Sequence, residues 1–515
     1  MGDVRKKICN AFKRRSITLR PDAVMFLEEQ LGDSDISEKL DKILSAIPKS
    51  KLGSGPLDSA TLQCVLTEIT ASLEDRPTEA IYVIDAFKTP KLRYDHSTKG
   101  FLASTETFSI FGTPEQKIRV FQDRYTLLRQ RLLRSKPFAP PPVITSISSA
   151  SAARLQLTPI ESLAGSHGVR CVLGMISQIK EGMYFLEDPG GYIPIDLSGV
   201  KTTAGLFMEN SIVLAEGEVI DSVFRVKVMG FPPHELKAET RAAFGNVDFF
   251  GAGLITMQDY PRMLEQEELA STAMFVVVSD LWLDKPEVLS KLERLLAGFA
   301  TSPPTLFLFI GSFLSRAHGL SRDDSAKSVK SYFDALADVI SKYPSLIESS
   351  KFIFVPGSND PGAQEALPRP AIPLYFVQRI REVLPEAIFT SNPCRIRYYT
   401  QEIVVFREDL LHKMRKHCIL PPSDETENLS EHLVMTLLNQ SHMFPLPFAF
   451  RPIIWAYDHV LHLYPMPDVL IVADKCGQYD WTYEDCVCFN PSSFPSEFAF
   501  TVYYPSRRET EHSKM

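Results

Sequence analysis

Three short apolar runs in the second half of the chain constrain its fold more than any other feature: residues 274–280 (MFVVVSD), 305–311 (TLFLFIG) and 352–362 (FIFVPGSNDPG). Each is rich in β-branched and aromatic residues, shows no polar alternation, and ends abruptly in polar or glycine-containing residues. Strands buried on both faces need helices to cover them. Val288, Leu289, Leu292, Leu295, Leu296 and Phe299, then Val329, Phe333, Leu336 and Ile340, recur at helical spacing after the first two runs. Strand–helix alternation of this kind predicts βαβ crossovers onto a largely parallel sheet. The loops that follow the strands would form one rim, where α/β proteins house their chemistry. Farther along, a hairpin (395–399 with 401–407), helices near 409–416 and 430–439, and strands at 469–473, 487–489 and 497–504 complete a two-sheet α/β layout over residues 241–515.

Upstream of this, residues 154–240 switch to strand periodicity. Runs at 169–179, 183–187 and 192–197, then 211–219 and 223–229, are separated by tight turns, and five short strands in this order predict an OB-fold β-barrel. Gly174 falls inside the first, where a coiled barrel strand can bend. Tyr184, Phe185, Tyr192 and Phe224 could stack on bases, yet Glu181, Glu187, Asp188, Asp196, Glu209, Glu216, Glu218 and Asp221 make the barrel acidic. That balance favours a protein-contacting barrel over one that grips a phosphate backbone.

Residues 1–75 read as a small helical bundle, with Pro21 opening one helix and Asp35 and Glu38 another. Its basic residues Arg5, Lys6, Lys7, Lys13, Arg14 and Arg15 fit either a solvated face or a nuclear-import or DNA-contacting cluster. Residues 76–153 read as an extended linker carrying one amphipathic helix over 114–134. Thr113 caps it, Pro114 takes the first turn, and Gln116 reaches back. Ile118, Phe121, Tyr125, Leu128 and Leu132 form its apolar stripe, while Arg124, Arg129, Arg131 and Arg134 face elsewhere, toward a nucleic-acid backbone or, more commonly for such a helix, solvent.

At 515 residues the chain needs several domains, and its net charge of −8 excludes a surface that grips nucleic acid all over. The eight cysteines are scattered, without a C-x-x-C pair, and read as reduced thiols of a nuclear or cytosolic protein. Cys486 and Cys488 fall on one face of a strand and read as core. The first residues are charged where a leader would be apolar, and no run reaches bilayer length, so neither secretion nor a membrane span is expected.

The rim resembles that of calcineurin-like metallophosphoesterases, whose signature is D-x-H, G-D-x-x-D, G-N-H-D/E, a lone His and G-H-x-H. In register this chain has Asp280-Leu281-Trp282, Gly311-Ser312-Phe313-Leu314-Ser315, Gly357-Ser358-Asn359-Asp360, His442, and Ala473-Asp474-Lys475-Cys476. Trp282, Ser312, Ser358 and Asn359 thus replace ligands or the acid, and Asp474 and Cys476 interrupt the last motif. Two metal ions about 3.5–4 Å apart need a full ligand set. No metal, cofactor or catalytic residue is therefore expected, although Asp280, His442 and Asp360 keep a metal-dependent phosphodiesterase or exonuclease open. An OB-driven single-strand binder is the third reading.

An OB barrel before such an emptied domain is similar to the B-subunits of replicative DNA polymerases, and within them to those of DNA polymerase epsilon. The runs at 111–114 (FGTP), 172–176 (VLGMI), 185–189 (FLEDP), 214–217 (LAEG), 230–233 (GFPP), 279–284 (SDLWLD), 355–357 (VPG), 390–396 (TSNPCRI), 406–410 (FREDL) and 490–491 (NP) carry the resemblance. It implies a nuclear, non-catalytic subunit for DNA replication and repair. It further implies binding to the C-terminal zinc-module region of the catalytic chain, association with histone-fold subunits in the holoenzyme, and only indirect contact with DNA. The N-terminal bundle, similar to the lid of AAA+ ATPases, is implied to link the polymerase to the replicative helicase through GINS.

Overall fold

The computed structural model describes residues 80–515 except 105, 107, 140–154, 246, 256–258, 320–324 and 363–364, together with nine scattered residues before 80. The chain divides into units 1–80 and 81–515. The helical module expected over 1–75 and its basic cluster lie almost wholly outside the described residues.

Two six-stranded sheets carry the second half of the chain. In the first, Phe275–Ser279, Leu306–Ile310, Lys351–Val355 and Ile388–Phe389 run parallel. Ala499–Tyr504 and Glu509–Lys514 then extend the sheet antiparallel beyond Phe275–Ser279. The first two strands are buried at every position, as an unbroken apolar run requires. Helices Pro286–Phe299, Ala326–Ser341 and Leu374–Val383 bring Leu292, Leu296, Phe333, Leu336 and Ile380 onto Phe307, Phe309 and Phe354 of this sheet. Sequence periodicity locates the first two helices. It misses the third, as well as the edge strand Glu509–Lys514, which is polar throughout.

The second sheet is ordered Ile81–Asp85, Cys394–Tyr398, Gln401–Arg407, Val469–Ala473, Cys486–Asn490 and Tyr479–Tyr483. Ile81–Asp85 pairs antiparallel with Cys394–Tyr398 along its full length, so the stretch read as linker begins with a strand of this sheet. The hairpin of Leu92–Asp95 and Gly100–Ala103 follows it. Cys486 and Cys488 are fully buried in the core between this sheet and its helices, their Sγ atoms 3.6 Å apart.

The barrel forms as its spacing predicts. Arg170–Lys180 pairs with Met183–Asp188 and Ile212–Ile220, and Gly191–Asp196 closes on Val223–Gly230 in parallel. Gly174 is required by close approach, since a Cβ there would lie 2.5 Å from Leu186 Cγ.

Helix Pro114–Arg134 begins with the expected capping box between Thr113 and Gln116. Its buried face differs from the expected stripe, because Ile118 is 58% exposed while Arg124 and Arg131 are buried. Arg131 donates to Ser441 Oγ (2.6 Å), Pro232 O (2.8 Å) and Asn439 O (2.6 Å), joining the end of the barrel to the sandwich. Leu128 and Leu132 pack beside it on Leu173 and Ile212 of the barrel. Apolar periodicity places the leucines correctly but cannot show that carbonyls and a carboxylate wait opposite the arginines. Side chains of helix Leu429–Asn439 and its C-cap complete the junction: His432 Nδ1 accepts from Gly205 N (2.8 Å), Thr436 Oγ1 from Leu206 N (2.8 Å), and Gln440 Oε1 from Ile212 N (2.9 Å).

Replacing Arg131 with Met strands these acceptors in a dry junction and is expected to cost about 3 kcal/mol or more. Lys117→Leu, on the exposed face, should stay within about 0.5 kcal/mol. Thermal unfolding of the two variants measures the contrast.

Candidate functional site

Asp280 directly follows the first strand of the parallel sheet and adopts a left-handed backbone with φ 59°, which Asp tolerates better than most residues. Its carboxylate is 1% exposed. Oδ1 accepts from Ser312 N (2.8 Å) and from Arg407 Nε (3.2 Å) and Nη2 (2.9 Å). Arg407, the last residue of strand Gln401–Arg407 in the other sheet, also donates to Gly311 O (2.8 Å), Ala473 O (3.1 Å) and Asp409 Oδ1 (2.8 Å). The Asp280 and Asp409 carboxylates raise its pKa against the opposing effect of burial. A permanent cation therefore sits on the one carboxylate that the first motif retains. Nothing in the sequence singles out this arginine for the role.

The neighbouring loops close around the same point. Ser312 Oγ accepts from Asn359 N (3.3 Å), and Asn359 Nδ2 donates to Leu314 O (3.2 Å) and Ser315 O (3.3 Å), so the amide is turned into the loop. The Ser358 carbonyl accepts from Arg369 Nη1 (3.1 Å). Asp360 is fully buried and accepts from Gly357 N (2.7 Å) and Phe313 N (2.5 Å). Burial outweighs these bonds and the nearby Arg369, and pushes its pKa up to about 6. A Cβ on Gly311 would meet Asp360 Oδ2 at 2.2 Å, and one on Gly357 would meet Ser312 N at 2.5 Å. The loops are thus packed backbone against backbone.

Of the remaining motif positions, Trp282 packs against the hydrophobic core of the first sheet. Asp474 Oδ2 accepts from Leu410 N (2.7 Å) and Leu411 N (2.8 Å) at the start of helix Leu411–Lys416. Burial pushes the Cys476 thiol up, and its sulfur accepts from Asn490 Nδ2 (3.2 Å). Asp280, Ser312, Asn359 and Asp360 are therefore brought together, while Trp282, Asp474 and Cys476 are committed to packing or capping.

His442 belongs to another cluster. Its Nε2 lies 3.4 Å from Asp458 Oδ1, and His462 Nε2 lies 3.3 Å from Asp458 Oδ2. Three such groups have the composition of a metal site. The geometry opposes it, because Phe444 N donates to His442 Nδ1 (3.0 Å), so the neutral ring carries its proton on Nε2, the atom that would have to bind. Arg124 also bonds both oxygens of Asp458. The sequence pairing of His442 with Asp280 is thus replaced by a buried His442–Asp458–Arg124 group, which only the tertiary fold assembles.

Burial, aided by Arg124, drops the His442 pKa to about 3, and burial drops that of His459 to about 3 as well. Below a pH near 6.5 the unfolded chain protonates both rings while the folded chain does not, so stability falls as pH drops from about 6.5 toward 3. Each ring contributes up to about 1.4 kcal/mol per pH unit. Thermal midpoints between pH 7.5 and 5 should show this loss, with a shallower slope in His442→Gln.

Breaking the rim pair with Arg407→Met leaves Asp280 buried and uncompensated, at an expected cost of about 3–5 kcal/mol. Combining it with Asp280→Asn should recover part of that loss, as read by thermal unfolding.

Residues 275–480 match the family of DNA polymerase alpha/epsilon B-subunits, residues 114–233 the OB-fold domain described as DNA polymerase epsilon subunit 2-like, and residues 2–69 the DNA polymerases epsilon N terminal family. The chain is 41% identical to human DNA polymerase epsilon subunit 2, with 99% of this chain and 98% of that one aligned. It is 38% identical to the DNA polymerase epsilon B-subunit of Arabidopsis thaliana, covering 99% of both. Among solved structures, an archaeal phosphodiesterase aligns with 47% of the chain at 10% identity and a TM-score of 0.26, too distant to carry an argument. Identity of this order along the whole length shows that the chain belongs to the DNA polymerase epsilon B-subunit family.

Proposed function

We propose that this protein is a non-catalytic accessory subunit of the DNA polymerase epsilon complex, acting in the nucleus in chromosomal replication and repair. The observation that carries the non-catalytic reading is the Arg407 guanidinium bound to Asp280. A phosphoesterase places metal ions at such a carboxylate. Here a fixed side-chain cation neutralises it, while the Ser312 hydroxyl, the Ser358 carbonyl and the Asn359 amide are bonded to Asn359 N, Arg369 and the Leu314 carbonyl.

On this reading, residues 241–515 form an inactive calcineurin-like domain, residues 154–240 the OB barrel, and residues 1–75 the helical module. Residues 76–153 are a connector that also supplies a strand and the helix at the junction. The barrel and the inactive domain hold the C-terminal zinc-module region of the catalytic chain. The helical module reaches the replicative helicase through GINS, and the histone-fold subunits join in the holoenzyme. The buried polar junction between barrel and sandwich supports a scaffold role, since it fixes two binding surfaces in one orientation.

Co-expression with the catalytic chain of DNA polymerase epsilon tests the reading: the two should co-purify through that chain's C-terminal region. With manganese and bis-p-nitrophenyl phosphate, the purified protein should show no turnover above background. Hydrolysis that Asp280→Ala abolishes would overturn the assignment.

A further inference from the structure

A cavity of about 150 Å³ lies between the hairpin at 92–103, helix Pro114–Arg134 and the segment around 455–464. It has room for about five water-sized groups. It plays no part in the rim, and two buried side chains on its wall are incompletely satisfied.

Arg395 is 6% exposed. Its Nη1 donates to Phe249 O (2.8 Å) and its Nη2 to His462 O (3.2 Å), whereas Nε has no partner among the described residues. Both partners are neutral carbonyls, and the acids that influence it, Glu402 and Asp248, act through space. Buried charges are ordinarily paired, so this guanidinium lacks a counter-ion.

His459 is 8% exposed, with Nε2 3.2 Å from Thr89 O. A carbonyl only accepts, so Nε2 carries the proton and Nδ1 presents a bare lone pair, for which no donor is found among the described residues. The cavity therefore needs a ligand that is an anion toward Arg395 and an O–H donor toward His459. Lys91 and Arg93 line the same wall, each already paired with Glu106. The two acids there, Asp123 and Asp458, are already paired with Arg93 and Arg124.

We propose that this cavity binds inorganic hydrogen phosphate, which combines negative charge with an O–H group at neutral pH. Arg395 takes the anionic oxygens, and His459 Nδ1 accepts the O–H. Sulfate, of similar size, has no proton to give. A phosphate monoester is larger and is mostly a dianion without an O–H above its second pKa, near about 6.

Isothermal titration of the full-length chain at neutral pH and matched ionic strength, with sodium phosphate, sodium sulfate and glycerol 2-phosphate, tests the proposal. Phosphate should bind saturably at one site, with sulfate and the monoester at least about tenfold weaker, equivalent to about 1.4 kcal/mol. His459→Phe should weaken phosphate about tenfold and abolish its advantage over sulfate. Arg395→Gln should weaken both anions together. Absence of saturable phosphate binding, equal binding of sulfate, or unchanged selectivity in His459→Phe would overturn the proposal. Equal binding of the monoester would reassign the site to phosphomonoesters. The comparison of anions on the unaltered chain requires no variant to fold.

Discussion

The buried pair between Arg407 and Asp280 ties the two sheets of the sandwich together at the ends of their strands. Asp280 closes a strand of one sheet, Arg407 closes a strand of the other, and the guanidinium adds bonds to the carbonyls of Gly311 and Ala473. Neither charge would be tolerated alone in a place this dry. The loops carrying Ser312, Asn359 and Asp360 settle around this pair, so the strand ends form a self-neutralised joint.

The same solution recurs where the 114–134 helix and the helix that follows the barrel, Lys237–Phe244, meet the sandwich. Arg124 meets Asp458, Arg131 meets the carbonyls of Pro232 and Asn439, and Lys237 meets Glu402 and Asp468. Such contacts contribute little net stability compared with apolar packing. Their geometric demands do favour one relative orientation of barrel and sandwich, since any slip would leave charges buried without partners.

Much of the fold was legible in the chain. The runs at 274–280, 305–311 and 352–355 became fully paired strands because unbroken apolar sequence has no stable place except a sheet covered on both faces. The barrel strands followed from alternation and turn residues, and the helix at 114 from its capping box. Segments whose structure depends on distant partners were not legible. Ile81–Asp85 becomes a strand only because Cys394–Tyr398, more than three hundred residues away, offers an edge. Glu509–Lys514 carries no apolar pattern and is ordered by its neighbour.

For the site, the sequence by itself determined which groups stand at the strand ends: Trp282, Ser312, Ser358 and Asn359 bring an indole, two hydroxyls and an amide. Residue type settles that, because donor chemistry is local. Tertiary structure decided what surrounds them. Only folding places Arg407 against Asp280, draws His442 to Asp458, and turns Arg124 and Arg131 of the 114–134 helix inward, since charge pairing depends on distances that sequence order does not encode.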